Sequence, residues 1–534
     1  MEGLTLAISR FPGATLGTQQ ANWELPLLWK LGSEALHDDL NEKCGIFGVF
    51  APGEDVARLT FFGLHALQHR GQESAGIATT DGKRLNLYAD MGLVAQVFTE
   101  ETLAALPGRA GIGHTRYSTT GSSTRGNAQP FHLKGVHGEL AIAHNGNVVN
   151  ADVMRADLVA QGTHFETSSD TEVIGRLLVD GPGEDWPERF AQLMRRANGA
   201  YALTILTNDA VYAVRDPLGI RPLSIGRLNN EGWVFASETC ALDHLGAEYV
   251  RDVRPGEVVR ADGEGLTSYF PLAAEGGGMS GQMTDQQQAL CLFEFIYFAR
   301  PDSRVSGQLL HPARMRMGAR LSEEYPVDAD VVIGVPDSAT AAAIGYAQAS
   351  GIPYAEGLVK NRYVGRTFIQ PDQRLRDRGV QLKFNPLREV LEGKRVIVVD
   401  DSIVRGTTTP RVVKMIRDAG AKEVHLRITS PPITHPCFYG VDMATRGELI
   451  AANLSTEEIR EHVDADSLGY LSLEGTIWAA NLGEGQHCTA CFSGTYPSAV
   501  PLQFDKFSLE GPGLPDHEIP MVRTEPAVVP LTLR

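Results

Sequence analysis

The sequence predicts an α/β protein of two domains, a layered-sheet domain of α+β character followed by one built on a parallel, doubly wound sheet. Three observations predict it. At 534 residues the chain exceeds what a single hydrophobic core organises. From Cys44 to about residue 270, short apolar strands succeed one another with few helices between them, the rhythm of stacked sheets. Further on, buried apolar runs at 330–335 and 395–401 are each followed by a helical stretch, the rhythm of parallel strands covered by helices.

Taken in order, residues 1–43 carry no steady helical or strand period and read as an extension. The apolar stretch around Trp23, Leu27 and Trp29 is flanked by Glu24 and Lys30, with no small-residue cleavage pattern after it, so it is not a secretory signal. Regular structure is expected from Cys44. Strands are expected at 44–50, 138–149, 200–207 and 211–215, and helices at 56–69 and 170–179. The stretch from Ala273 to Met283, with Gly276, Gly277 and Gly278, resists regular structure and reads as a linker. The expected divisions are therefore an extension or propeptide at 1–43, a first domain at 44–275, a second at 284–500 and a Pro-rich tail at 501–534 with no assignable role.

A net charge of -17 disfavours nucleic acid and anionic membrane as partners, so any phosphate ligand has to be held by a local device. No run of about twenty apolar residues offers a membrane span. Six cysteines do not make a disulfide scaffold in a chain this long, and their grouping suits chemistry in a reducing compartment, so a cytoplasmic location is expected.

Cys44 precedes an apolar strand, and cleavage after Lys43 would give it a free α-amine, a built-in base with a pKa of about 7.7 to 8.0. Alone, such a cysteine is more often a buried core thiol. Its context suits amide hydrolysis. Arg116, in what reads as a polar turn, could clamp a carboxylate. Asn145 and Gly146, at a strand end, could face a developing oxyanion together. Asp170 opens a helix, where it could hold an ammonium group or serve as the N-cap.

The sharpest motif follows the strand at 395–401. Asp400 and Asp401 stand at its C-terminal edge, and Ser402, Arg405, Gly406, Thr407 and Thr408 form a turn entering a helix. Backbone N–H groups in such a turn bind phosphate, and the carboxylates can accept from sugar hydroxyls. A solvated strand end or a receiver-type metal site would explain the acids but not the turn. Ser338 ends the earlier strand. The stretch 361–369, with Arg374, Arg376, Arg378 and Lys383, reads either as a mobile lid supplying cations or as a solvated basic loop.

Cys488 and Cys491 form a Cys-x-x-Cys pair, with Cys437 and Cys291 available to complete a set of four. Zinc and an iron-sulfur cluster both suit four thiolates, and the spacing leaves both open.

These segments, with the stretch from Gln68 to Gly76, resemble the N-terminal-nucleophile (class II) glutamine amidotransferases, and the 396–408 motif resembles the type I phosphoribosyltransferases. The Cys291 and Cys488–Cys491 segments are similar to those of amidophosphoribosyltransferases of the branch with a propeptide and a 4Fe-4S cluster. The resemblance covers about residues 44 to 500. It implies a four-layer glutaminase domain followed by a phosphoribosyltransferase domain, and conversion of glutamine, water and phosphoribosyl pyrophosphate to phosphoribosylamine, glutamate and pyrophosphate, the first committed step of de novo purine synthesis. Cys44 would be the nucleophile, Asn145 and Gly146 the oxyanion hole, and Arg116 and Asp170 the holders of glutamine. Asp400, Asp401, Ser402, Arg405, Gly406, Thr407, Thr408 and Lys383 would bind phosphoribosyl pyrophosphate. One magnesium ion per subunit would sit at Ser338, Asp400 and Asp401, and one 4Fe-4S cluster per subunit at Cys291, Cys437, Cys488 and Cys491, with Cys240 left to the core. A homotetramer and feedback inhibition by purine nucleotides are implied as well. The acid pair argues against a glutaminase serving another acceptor, and Cys44 against a DNA-binding sensor built on the second fold.

Overall fold

The computed structural model describes residues 44–117, 124–229, 232–273, 288–361, 383–441, 443, 445–483, 485–501 and 521–522. The expected extension, the glycine-rich linker, the basic stretch from residue 362 to 382 and most of the tail lie outside the described residues.

The first half contains β1 (Gly45–Phe50), β2 (Ser74–Thr80), β3 (Leu85–Met91), β4 (Ala110–Arg116), β5 (Phe131–Gly135), β6 (Gly138–Val148), β7 (Gly199–Leu206), β8 (Val211–Arg215), β9 (Ser224–Arg227), β10 (Trp233–Ala236), β11 (Glu248–Asp252), β12 (Val258–Asp262) and β13 (Gly265–Tyr269). They form two antiparallel sheets, ordered β11-β9-β10-β1-β4-β2-β3 and β13-β12-β8-β7-β6-β5. Every residue of β1 is buried, because strand alternation sends Ile46 and Phe50 between the sheets and Phe47 and Val49 toward the helix Val56–Ala66. Alanines 141, 143 and 202 fill the space between the sheets. The outer face of the second sheet, with Ile142, Leu203 and Ile205, packs on Val173 and Leu177 of the helix Asp170–Asp180. The result is four layers: helices, sheet, sheet, helices. The helix expected to run to residue 69 stops at Ala66, and a 3-10 turn at Gln68–Arg70 carries Arg70 inward.

The second half contains β14 (Leu290–Cys291), β15 (Arg304–Val305), β16 (Gln308–Leu309), β17 (Val331–Gly334), β18 (Leu358–Lys360), β19 (Phe384–Pro386), β20 (Arg395–Asp400), β21 (Glu423–Ile428), β22 (Ser467–Tyr470) and β23 (His487–Cys488). Its main sheet, ordered β17-β20-β21-β22, is parallel throughout. Val332, Ile397 and Val399 face the helices Leu310–Glu324 and Thr340–Ser350, whereas Ile333, Val396 and Val398 face the helix Thr409–Asp418. Both faces are covered, which is why these strands read as unbroken apolar runs. One core continues across the two halves, joining Val149, Ala200 and Ile220 to Leu290, Phe293 and Tyr439. Among the described residues no helix is long and apolar enough to cross a membrane.

Candidate active sites

Cys44 stands immediately before β1, whose register pairs Gly45 with Thr115 of β4 and so brings Cys44 beside the Arg116 end of that strand. The thiol is 8% exposed and donates to Tyr117 O at 3.4 Å. Burial pushes it up to about 11, and Glu73 and Asp170 add to the rise while Tyr117 and the Arg116 charge oppose it. Arg116 corrects the sequence reading. It is the last residue of β4 and is buried, not part of an exposed polar turn.

Asn145 and Gly146 lie within β6, paired with Ala202 and Tyr201 of β7. Asn145 is 1% exposed, and neither its Oδ1 nor its Nδ2 has a hydrogen-bond partner among the described residues. A buried amide left this way costs about 1 to 3 kcal/mol. Gly146 has φ +150°, and a Cβ there would stand 2.0 Å from Ala200 O, so no side chain can cover the backbone at this point.

Ser169, not Asp170, caps the following helix. Asp170 Oδ2 instead accepts from Val148 N–H at 3.0 Å and lies 3.7 Å from His144 Nδ1. Burial would raise this carboxyl, yet His144 and the N–H groups of Val148 and Thr171 hold it below the usual range. It is a fixed, buried anion within electrostatic reach of Cys44. His114 is pushed down to about 3, chiefly by burial, and as a neutral ring donates from Nε2 to His144 O at 3.1 Å.

In the second half, Asp400 ends β20 and the buried Asp401 follows it. Ser402 Oγ donates to Asp401 Oδ1 at 2.6 Å, and Asp401 N–H to Asp400 Oδ1 at 2.9 Å. The turn beyond is fixed from outside, because Ile450 N–H donates to Val404 O at 2.9 Å and His462 Nε2 to Gly406 O at 3.1 Å. Gly406 adopts φ +71°. Thr408 sits at the N-cap of the helix Thr409–Asp418, so the turn leads straight into a helix N-terminus. Arg405 is paired with Glu448 at 3.0 Å. Ser338 lies in the turn after β17, the strand beside β20, and Lys360 reaches Asp337 in that turn at 2.8 Å. The Lys383 ammonium lies 5.5 Å from the Phe384 ring centroid.

All six cysteines are free thiols. β14 and β23 pair in parallel with Cys291 opposite Cys488. Cys491 O accepts from Thr434 N–H and His435 N–H at 3.0 and 3.1 Å, tying the segment that carries Cys437 to the same place. Burial raises Cys437, Cys488 and Cys491, and neighbouring thiols of the set raise each further. Among the described residues no three His, Cys, Asp or Glu side chains converge closely enough to hold a single metal ion. Cys240 lies apart in the core, its thiol 3.7 Å from Glu238 Oε2.

Comparison with known proteins accounts for both halves. Residues 114–244 match the glutamine amidotransferase domain family, and residues 307–429 match the phosphoribosyl transferase domain family. The amidophosphoribosyltransferase of Synechococcus elongatus is 52% identical over 477 residues, 88% of this chain and 94% of its own length. That of Bacillus subtilis is 48% identical over 470 residues, 86% of this chain and 95% of its own. The chain belongs to the amidophosphoribosyltransferase family. Two solved structures agree. One, described as the allosteric regulatory enzyme of purine biosynthesis, superposes with a TM-score of 0.79 at 46% identity, covering 86% of this chain and 97% of its own. The other, the Bacillus subtilis glutamine phosphoribosylpyrophosphate amidotransferase complexed with ADP and GMP, superposes at 0.78 and 47% identity, covering 85% and 97%.

The chain also carries a buried ionic network that the sequence did not disclose. Arg70 donates from Nε to Cys44 O at 3.3 Å, from Nη1 to Glu238, and from Nη2 to Glu294 Oε1 at 2.9 Å. Glu238 also accepts from Ser303 Oγ at 2.8 Å and from Arg300 N–H at 2.9 Å. Arg221 completes the group. All four charged side chains are at most 1% exposed. The partners lie 168 and 224 residues apart in sequence, so no local pattern joins them. Only Arg70, inside the Gln68–Gly76 stretch, and Glu294, inside the Cys291 segment, carried any signal.

Proposed function

We propose that Cys44 releases ammonia from glutamine and that the turn after Asp400 and Asp401 presents phosphoribosyl pyrophosphate to that ammonia. As a member of its family, the chain is an enzyme that forms phosphoribosylamine, glutamate and pyrophosphate, the first committed step of purine biosynthesis. The observation that carries the residue assignments is Asn145: a fully buried amide with no partner among the described residues, beside a glycine that bares its backbone, awaits a ligand oxygen.

In this reading Arg116 holds the α-carboxylate of glutamine and Asp170 its ammonium. Cys44 Sγ attacks the amide carbon while its proton passes to the leaving nitrogen. The C–N bond breaks, ammonia departs, and water cleaves the thioester to give glutamate. The negative oxygen formed at each addition is stabilised by Asn145 Nδ2 and Gly146 N–H. A thiol pushed up to about 11 needs a base, and the α-amine freed by cleavage after Lys43 would supply it. Ammonia then attacks C1 of the sugar and pyrophosphate leaves. Asp400 and Asp401 hold the ribose hydroxyls, Ser402, Gly406, Thr407 and Thr408 the 5-phosphate, with Arg405 at the edge of the turn and Lys383 serving the pyrophosphate.

Magnesium, when bound, neutralises charge on the leaving pyrophosphate. Asp400, Asp401 and Ser338 fit it, since this ion takes one or two carboxylates plus substrate oxygens and waters and needs no closed protein cage. The four cysteines fit a 4Fe-4S cluster better than zinc, because a cubane spreads its thiolates over several irons whereas one zinc ion gathers four sulfurs at about 2.3 Å, and no such tight group occurs among the described residues. We also propose the domain division at 275–284, a homotetramer, a cytoplasmic location that keeps the thiols reduced, and purine nucleotides as inhibitors. The last is supported by the relative solved with ADP and GMP.

Purified protein given glutamine and magnesium phosphoribosyl pyrophosphate is expected to release glutamate and pyrophosphate in equal amounts. Absence of pyrophosphate release refutes the second site, and full-rate glutamate release without the sugar phosphate refutes coupling. Iron and acid-labile sulfide are expected in the same sample. Stoichiometric zinc in their place overturns the cluster.

A further inference from the structure

Arg221 sits where the two halves meet and is fully buried. Its Nη2 donates to Tyr439 O, and its Nη1 is 3.7 Å from Glu294 Oε1, beyond hydrogen-bond reach. Nε and Nη1 have no acceptor among the described residues. Buried guanidinium groups rarely stay half-satisfied, because an unpaired donor in a low-dielectric interior is costly and a charged one more so. Arg215 and Asp216 fix the segment that bears it, through Arg215 Nε to Arg221 O at 2.8 Å and Ile220 N–H to Asp216 Oδ2 at 3.1 Å, so the side chain is not free to swing out to solvent.

The backbone on either side of Arg221 is tied to two of the four cysteines. Cys291 N–H donates to the carbonyl of Ile220, the residue before Arg221, at 3.1 Å. Tyr439, whose carbonyl Arg221 grips, sends its own N–H to Cys437 Sγ at 3.4 Å.

The loop so held also reaches the glutaminase. Asn147 Nδ2 donates to Phe438 O at 2.9 Å, and Gly440 approaches so closely that a Cβ on it would stand 2.9 Å from the carbonyl of Gly146. Cys437, Tyr439 and the oxyanion glycine therefore form one packed unit, with Arg221 as its charged member.

We propose that Arg221 is a positioning residue that couples the four-cysteine site to the oxyanion strand, balancing the negative charge of the ligated thiolates while seating the 437–440 loop on Gly146. The inference rests on the reading that the four cysteines hold an iron-sulfur cluster. Without thiolate charge, two donors stay unpaired and the guanidinium has less to hold it against Tyr439 O. With that charge, the same residue fixes both. A cation beside a cluster also stabilises its reduced form, so the residue sets the cluster's potential as well as the loop's seat.

The test uses the full chain loaded with iron and sulfide without oxygen, as wild type, Arg221→Gln and Arg221→Lys. Arg221→Gln is expected to move the cluster's reduction potential to more negative values. It should also lower kcat for glutamine hydrolysis about tenfold, a fraction of the 10²- to 10³-fold loss that follows removal of an oxyanion donor. KM for glutamine and the ammonia-dependent synthesis should stay within about twofold. Arg221→Lys keeps the charge but has one nitrogen to meet two demands, so it should retain the wild-type potential with kcat lowered severalfold. Equal potentials in the two variants, or wild-type kcat in both, overturn the proposal while leaving the cluster intact. Should Arg221→Gln fail to fold, the lysine variant decides alone, since a shifted potential or unchanged kcat there is equally fatal. Wild-type protein that takes up no iron and sulfide overturns the cluster reading, and this inference with it.

Discussion

Replacing Asn145 with Ala should separate stability from activity in an unusual direction. The side chain is buried with both polar atoms unsatisfied among the described residues, so its removal relieves about 1 to 3 kcal/mol of desolvation cost. Against this stands the loss of packing from three heavy atoms, about 1 kcal/mol where the site partly collapses. The balance runs from about zero to about 2 kcal/mol in favour of the variant, hence an unchanged or slightly raised Tm. Loss of an oxyanion donor meanwhile costs about 10²- to 10³-fold in kcat with little change in KM, the signature of a contact made only in the transition state. Calorimetric unfolding and steady-state glutaminase kinetics on one preparation decide the matter. Ammonia-dependent synthesis, run on the same sample, should be untouched because the second site lies on the parallel sheet of the second half. A variant that melts clearly earlier while keeping its kcat would show Asn145 to be a structural residue, and the assignment of the oxyanion hole would fall.

Other outcomes follow from the same geometry. In protein where Lys43 still precedes Cys44, alkylation by iodoacetamide at pH 7 should be about 100-fold slower than for a thiol at 9.0, given a pKa of about 11; the rate should rise tenfold per pH unit up to that value, and a plateau near pH 9 contradicts the burial argument. Asp401→Asn should depress phosphoribosyl transfer about 100-fold while glutamine hydrolysis changes less than threefold, and equal losses would count against separate sites. Glu238→Gln leaves Arg70 partly uncompensated and should destabilise the protein by about 3 kcal/mol in denaturant unfolding. Burial raises the Glu238 carboxyl, but His69 and Arg70 hold it well below the usual range. Its stabilising contribution is therefore present above the unfolded value of about 4.3 and lost as pH falls through the lower folded value. The glutamine variant should accordingly lose less stability than wild type on acidification below pH 4, and parallel acid curves would remove Glu238 from the account.

The strands at 211–215 and 395–400 were legible because both faces of each are apolar or nearly so, and the 170–180 helix because its apolar residues Val173, Ile174, Leu177 and Leu178 recur at helical spacing. Arg116 was misplaced for a physical reason. The last three residues of β4, His114, Thr115 and Arg116, are polar yet all three pair with β2 and the first two also with β1, and a strand that turns polar groups into a buried site loses the apolar pattern by which strands are recognised. Asp170 was found, but the cap fell to Ser169, since at a helix entry several residues offer a side-chain oxygen and only backbone geometry chooses among them. The ionic network was illegible for a different reason: Arg70, Arg221, Glu238 and Glu294 lie in four separate segments, and charged residues are read by default as surface.

That network also explains an otherwise wasteful arrangement. Burying two arginines and two glutamates costs desolvation that apolar packing of the same volume would avoid, so its retention needs a reason beyond stability. Its members reach three different places: the carbonyl of Cys44 through Arg70, the segment after Cys291 through Glu294, and the Cys437 loop through Arg221. Apolar contacts here would tolerate sliding, because dispersion is non-directional. Directional charged bonds do not. Arg70 cannot move without shifting either the Cys44 carbonyl or Glu294, and Arg221 cannot move without releasing Tyr439 and, through its loop, Gly146. Cys44 and Gly146 belong to different sheets, and one set of buried charges holds both to the same cysteine-bearing segments, so their relative position is fixed by bonds with direction.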